Sequence, residues 1–293
     1  MTLLSHPLPG PPFELSAGPP LGGGTWLRLL LGLLILLVAG PALAQAQITV
    51  LASVDSAGNQ GNAQSLGPSM SADGRLVVFR SLATNLTPDC PGGGIFRRDL
   101  MTQTTTCLVS TLGASSISAD GRFVAFWSTS LTLDPNCATF TFTGQVFVRD
   151  MDTGTIICVS VAGPNGPAAT GGASNPSISG DGRFIAFATL ATNLGSCTSP
   201  GGNVFVHDRV MRTTRCASVA ADGTTVDNSN AFQRPGGPVI SRDGRFVAFT
   251  SAATNLDATA SRPRPAPRRC SSRTSRPRPS PARPTWRAAA APG

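Results

Sequence analysis

The nine residues Ser118-Ala-Asp-Gly-Arg-Phe-Val-Ala-Phe126 are written four times in this chain. Near copies are "SADGRLVVF" from Ser71, "SGDGRFIAF" from Ser179 and "SRDGRFVAF" from Ser241. The aspartates of the four copies, Asp73, Asp120, Asp181 and Asp243, stand 47, 61 and 62 residues apart. Self-similarity at such a period is the signature of an architecture built from one repeated supersecondary unit.

Working outward from the nonapeptide, each unit has the same order of parts. A short strand ends at the Ser of the motif: 68–71, 115–118, 176–179 and 238–241. The Asp-Gly pair predicts a tight hairpin, with the pair supplying positive φ angles. The aspartates are therefore structural turn residues, not a carboxylate ring. "RFVAF" has the β-branched and aromatic content of a buried strand. "SLATNL", "TLATNL" or "SAATNL" then closes that strand in a polar loop. A third strand ends at Asp99, Asp150 or Asp208, and a fourth contains Cys107, Cys158 or Cys216.

Four antiparallel strands per unit, with almost no helical periodicity, predict an all-β β-propeller of four-stranded blades. The blades are expected at 68–110, 114–161 and 175–219, with a partial one at 237–256. The stretch "ITVLASV", Ile48 to Val54, matches a fourth strand with no first three before it. In a closed propeller it would complete the last blade and remove an open edge. Together these define a repeat region at 47–257.

The pattern P-x-I-S-x-D-G-R-x-[VI]-A-F, followed by V-F-V-R-D and a T-T-x-x-V-S strand, resembles the TolB-like, WD-like β-propeller repeat of exported bacterial proteins. The resemblance covers about residues 48–256. It implies a propeller commonly of six or more blades, often non-catalytic and used to dock proteins. Three complete blades and one partial blade are fewer than that family's usual number.

Outside the repeats the sequence changes character. Residues 1–46 contain "LLLGLLILLVAG", 29–40, followed by "PALAQAQ". An apolar run of about a dozen residues is short for a span, which takes about 20. Small residues at Ala42, Ala44 and Ala46 fit a signal-peptidase site, so export to a periplasmic or extracellular space is expected, with an uncleaved membrane anchor as the alternative. Residues 258–293 are Arg/Pro-rich and drop every blade feature. They read as an out-of-frame stretch, since Cys270 to Thr274 can be encoded so that a reading two bases later gives Phe-Val-Ala-Asp; the other reading is a disordered linker.

The charge follows this division. The net charge is +8, from 23 basic and 15 acidic residues. Nine of the arginines lie between Arg262 and Arg287; without them 14 basic residues face the 15 acidic ones. The body is near neutral, and no nucleic-acid partner is expected.

Six of the seven cysteines fall into the repeat, one before each third strand and one in each fourth. Six cysteines allow fifteen pairings. The repeat selects intra-blade bridges, Cys90–Cys107, Cys137–Cys158 and Cys197–Cys216, as an oxidising compartment permits. Leu51 replaces the cysteine in the orphan strand, and the last blade's loop has none either, so both members are missing together.

Catalytic groups are scarce. His207 occupies the repeat position of Arg98 and Arg149 and reads as a surface turn residue rather than a base. There is no G-x-S-x-G elbow. Asp150-Met-Asp-Thr-Gly154 resembles the opening of a calcium loop but lacks the closing Glu. No catalytic residue, metal site or cofactor is expected. The expected role is a non-catalytic module binding an unidentified protein or ligand. The alternatives are the propeller of an enzyme whose catalytic part is missing, and a decayed reading frame. The long, variable connections 162–175 and 221–237 lie on the edge opposite the Asp-Gly turns, where recognition on a repetitive scaffold usually sits. Phe232 and Arg234, in the longest of them, are the expected contact residues.

Overall fold

The computed structural model describes residues 2–4, 49–137, 143–164, 166–198, 202–220, 222–224, 226, 237–251, 253–256 and 287–291. The chain divides into two compact units, Thr2–Leu51 and Ala52–Gly293. In the first, β1 (Thr2–Leu4) and β2 (Thr49–Leu51) pair antiparallel.

The second unit holds three complete four-stranded sheets whose strands pair in chain order. Blade 1 is β3 (Ser65–Met70), β4 (Leu76–Ser81), β5 (Gly94–Asp99) and β6 (Thr104–Val109). Blade 2 is β7 (Ser115–Ile117), β8 (Phe123–Ser128), β9 (Gln145–Asp150) and β10 (Ile156–Cys158). Blade 3 is β11 (Ala173–Ile178), β12 (Phe184–Thr189), β13 (Asn203–Asp208) and β14 (Thr213–Cys216). The partial fourth blade has β15 (Val239–Ile240) and β16 (Phe246–Thr250).

Each blade centres on one aromatic pair across its second and third strands. Phe79 faces Phe96, Phe126 faces Phe147, and Phe187 faces Phe205, with ring centroids 5.9, 5.8 and 6.3 Å apart. All six rings are buried. Such pairs contribute about 0.5–1.5 kcal/mol beyond their burial. Because a propeller sheet has two apolar faces, the cores lie between blades. One cluster joins Val78 and Ile95 to Phe126 and Phe147; a second joins Phe123 and Val148 to Ile185 and Phe187; a third joins Phe184 and Val206 to Val247 and Phe249.

Hydrogen bonds repeat the same blade-to-blade step. The Ala72 N–H donates to Ala119 O, Ala119 N–H to Gly180 O and Gly180 N–H to Arg242 O, at 2.8–2.9 Å. Beside this chain, Ser69, Ser116 and Ser177 hydroxyls accept from the N–H of Ile117, Ile178 and Ile240 in the following blade. A third repeated contact explains the motif glycine. A Cβ on Gly121, Gly182 or Gly244 would lie 2.2–2.5 Å from Leu76, Phe123 or Phe184 of the preceding blade. Among the described residues Gly74 has no such neighbour, and Phe246 is 46% exposed.

Two expectations for the ends are corrected. The strand at 48–54 was expected to complete the last blade, but Thr49–Leu51 pairs with Thr2–Leu4. The edge of β16 is instead taken by β17 (Arg287–Ala291), in parallel, within the stretch expected to be disordered. The physical reason is that, among the described residues, no third strand of the repeat lies beside β16, whose backbone groups another extended segment can then satisfy. The rest of 258–293, and residues 5–48, lie outside the described residues. Val54 nevertheless keeps its repeat position, bridging to Gln60 as Val161 bridges to Ala168 and Val219 to Val226.

Candidate functional site

The two edges of the blades differ in what their side chains do. On the Asp-Gly edge, Ser71 Oγ donates to Asp73 Oδ1 at 2.5 Å and accepts from Leu76 N–H at 2.9 Å, while Asp73 Oδ1 also accepts from Arg75 N–H at 3.0 Å. The same bonds recur at Asp120, Asp181 and Asp243. Only the glycines take positive φ, 76°, 78°, 69° and 68° at Gly74, Gly121, Gly182 and Gly244. The expectation that Asp also does so is corrected: it acts through its carboxylate, held below the usual range at Asp73 by the Ser71 hydroxyl.

The motif arginine continues this network. Arg75, Arg122 and Arg183 pair with Asp99, Asp150 and Asp208, the last residues of the third strands, at 2.7–2.8 Å. The Arg75 guanidinium holds the Asp99 carboxyl well below the ordinary range, and Arg122 holds Asp150 at about 2. Sequence reading missed this pairing, although Arg after Asp-Gly and Asp after the third strand recur together. Arg122 also engages Asp152 at 3.0 Å, so the two carboxylates resembling a calcium loop face an arginine. Among the described residues no group of three or more His, Cys, Asp or Glu could hold a metal.

The three bridges join Cys90 to Cys107, Cys137 to Cys158 and Cys197 to Cys216, with Cα separations of 6.0, 6.1 and 6.0 Å, within the range a bridge needs. Each ties the loop before the third strand to the outermost strand. Disulfides at all three positions fit a protein of an oxidising compartment.

On the opposite edge the long connections are clamped by an asparagine that sequence reading passed over. Asn193 of "ATNL" accepts from Thr170 N–H at 3.0 Å and donates to Ala168 O at 2.8 Å. Asn85 likewise accepts from Asn62 N–H and donates to Gln60 O, and Asn255 donates to Val226 O. Blade 2, whose preceding connection is short, has Thr132 in that place. The recurrence of Asn with a long preceding connection was the available signal. Asn193→Ala is expected to cost about 1–2 kcal/mol, from groups left without partners, and to speed proteolysis within 162–175. Chemical denaturation and limited digestion check both.

Beside the clamps, Leu82 and Leu190 occupy equivalent positions and are 50% and 49% exposed. On blade 1, Leu66, Leu82, Leu112 and Arg80 line a cleft of about 210 Å³. Phe232 and Arg234, the expected contacts, lie outside the described residues.

His207 was expected at a surface turn and is instead 3% exposed. The third strand carries it inward, between blades 2 and 3, where its Nδ1 lies 2.9 Å from Thr214 Oγ1. Burial lowers its pKa from 6.5 to about 4, with Asp208 opposing and Arg209 adding to the shift. A depressed imidazole binds its proton in the unfolded chain first, so stability falls as pH drops from 6.5 towards 4. The expected loss is about 3 kcal/mol. Urea midpoints at pH 7, 5.5 and 4.5 test this; His207→Gln is expected to flatten the slope.

No family model matches the sequence, and no curated protein matches it. Among solved structures, TolB from Acinetobacter baumannii aligns with 67% of this chain and 39% of its own, at 18% identity and a TM-score of 0.41. The β-propeller domain of the Trilobed protease from Pyrococcus furiosus, of open velcro topology, covers 52% and 41%, at 14% and 0.36. An oligogalacturonate lyase in complex with manganese covers 61% and 44%, at 13% and 0.38. The chain thus spans about two fifths of the length of these proteins. Its own sheets make it an all-β chain with three complete four-stranded propeller blades and a partial fourth.

Proposed function

We propose that this chain is an exported, non-catalytic binding module that recognises a protein or ligand through the long-connection edge of its blades. The observation that supports this reading is the set of clamps at Asn85, Asn193 and Asn255, which fix long connections onto rigid sheets. Loops so positioned present a defined surface, as binding loops on other scaffolds do. Leu82 and Leu190 add apolar contact area at that edge, and Phe232 and Arg234 belong to the same surface in this reading. The three bridges, in turn, suit the oxidising space outside the cytoplasm.

Photo-crosslinking side chains placed singly at Leu82, Leu190 and Phe232, and at Arg75 and Arg183 on the Asp-Gly edge, test the proposal in the native exporting cell. Adducts are expected from the first group and not the second. Adducts confined to the Asp-Gly edge would overturn it, as would turnover of an oligosaccharide or peptide substrate by the purified chain.

A further inference from the structure

Arg98 shows what the space between a third strand and the preceding blade's end can hold. Its side chain is 2% exposed, and its Nη1 donates to Asp55 O at 2.9 Å, Gln103 O at 2.7 Å and Thr105 Oγ1 at 3.1 Å. Its Nη2 donates to Gln103 Oε1. A cradle of carbonyl and hydroxyl oxygens thus encloses a guanidinium.

Blade 3 repeats the frame of that cradle. Thr214 Oγ1 donates to Val161 O at 2.5 Å as Thr105 Oγ1 donates to Val54 O at 2.6 Å. Arg212 has φ 51° where Gln103 has 57°, so the backbone turns the same way. Val161 bridges to Ala168 as Val54 bridges to Gln60, which puts Ala162 in the place of Asp55. The residue at the centre differs: His207 stands where Arg98 stands. An imidazole is several atoms shorter than an arginine side chain, and a cavity of about 120 Å³ remains, lined among others by Val161, Gly163, Asp134, His207 and Arg212. A Cβ placed on Gly163 would lie 3.9 Å from the Arg212 carbonyl oxygen, so that acceptor borders the space.

The ring itself adds an acceptor. The Thr214 hydroxyl hydrogen goes to Val161 O, so the bond between His207 Nδ1 and Thr214 Oγ1 needs the ring proton on Nδ1. Nε2 is then a lone-pair acceptor on a buried ring in the cavity wall. Two arginines also border the cavity. Arg209 is committed elsewhere, with its Nε on Gly182 O at 3.1 Å and its guanidinium 3.9 Å over the Phe123 ring. Asp134, which accepts from Asn136 and Cys158 N–H, lines the same cavity as Arg212.

We propose that the cavity between blades 2 and 3 is a receptor for a guanidinium cation, which takes the place that the Arg98 side chain fills in blade 1. The cation comes from a small guanidino compound or from an arginine side chain of another protein; the chemistry is shared, and the size of the probe separates the sources.

The test is the thermal unfolding of the oxidised full chain with methylguanidinium and, separately, with acetyl-Gly-Arg-Gly-amide, at constant ionic strength. A saturable rise in Tm of about 3 °C at ten times Kd is expected. A response to both probes assigns a protein arginine as a possible source, and a response to methylguanidinium alone assigns a small compound. His207→Arg should fold, since its own guanidinium fills the cavity, and should abolish the response; His207→Ala, which opens the cavity but removes the Nε2 acceptor, should keep a weaker one. No saturable shift, an equal shift in His207→Arg, a shift with phosphate instead, or a His207→Arg chain that fails to fold each overturn the proposal.

Discussion

Reduction of the three disulfides is expected to unfold the blades at neutral pH without denaturant or leave them barely folded. The bridges close loops with sequence separations of 17, 21 and 19 residues. In the chain-entropy account each such loop contributes about 3 kcal/mol, and the three together about 9. A domain's whole stability is on the order of 5–15 kcal/mol. The bridges also lie where they act most usefully, because each outermost strand has sheet hydrogen bonds on one side only. Urea titrations with and without a thiol-free reductant measure the total. The double variant Cys137→Ser/Cys158→Ser should lose about one third of it, and an unchanged midpoint on reduction would contradict the account.

The second large effect is expected from Phe187→Ala. Phe187 is fully buried, stacks on Phe205 and belongs to the cluster shared by blades 2 and 3. Removing its ring takes away burial and leaves a cavity, at a cost of about 3–5 kcal/mol. Phe246→Ala, by contrast, removes a ring that is 46% exposed and that no following blade covers among the described residues, and the expected cost is below about 0.5 kcal/mol. Phe184 is the counterpart of Phe246 in the preceding copy of the motif and packs against Gly244 of the next blade, so Phe184→Ala set beside Phe246→Ala measures the contribution of a neighbouring blade. Equal losses at both positions would mean that inter-blade packing is not what buries these sheets.

These expectations rest on features of unequal visibility in the sequence. The nonapeptide displays the second strand directly, and a fixed spacing of cysteines from the strand-end aspartates displays the bridges, because both are local and repeated. The clamps at Asn85, Asn193 and Asn255 were visible only as part of "ATNL"; their role depends on a connection far along the chain. The burial of His207 was not legible for a related reason. Its side chain is polar and its neighbours in sequence are those of a turn, but strand alternation turns it inward, where Thr214 of the adjoining strand in its own blade receives it. The pairing of Thr49–Leu51 with Thr2–Leu4 could not be read from a repeat at all, since neither partner's context recurs.

Turn networks set the register of each first hairpin, phenylalanine pairs fill each sheet, and inter-blade hydrogen bonds fix the step from one blade to the next. A scaffold stiffened in this way leaves the long connections as the adaptable part.

The most direct test of the central claim, one stapled four-stranded blade per repeat, is mass-spectrometric mapping of the disulfides after trypsin digestion without reduction. Arginine lies between the two cysteines of every pair, at Arg97 and Arg98, at Arg149, and at Arg209, Arg212 and Arg215, so each bridge will link two separate peptides. The account predicts Cys90 with Cys107, Cys137 with Cys158 and Cys197 with Cys216. A dominant bridge between cysteines of different blades would contradict it.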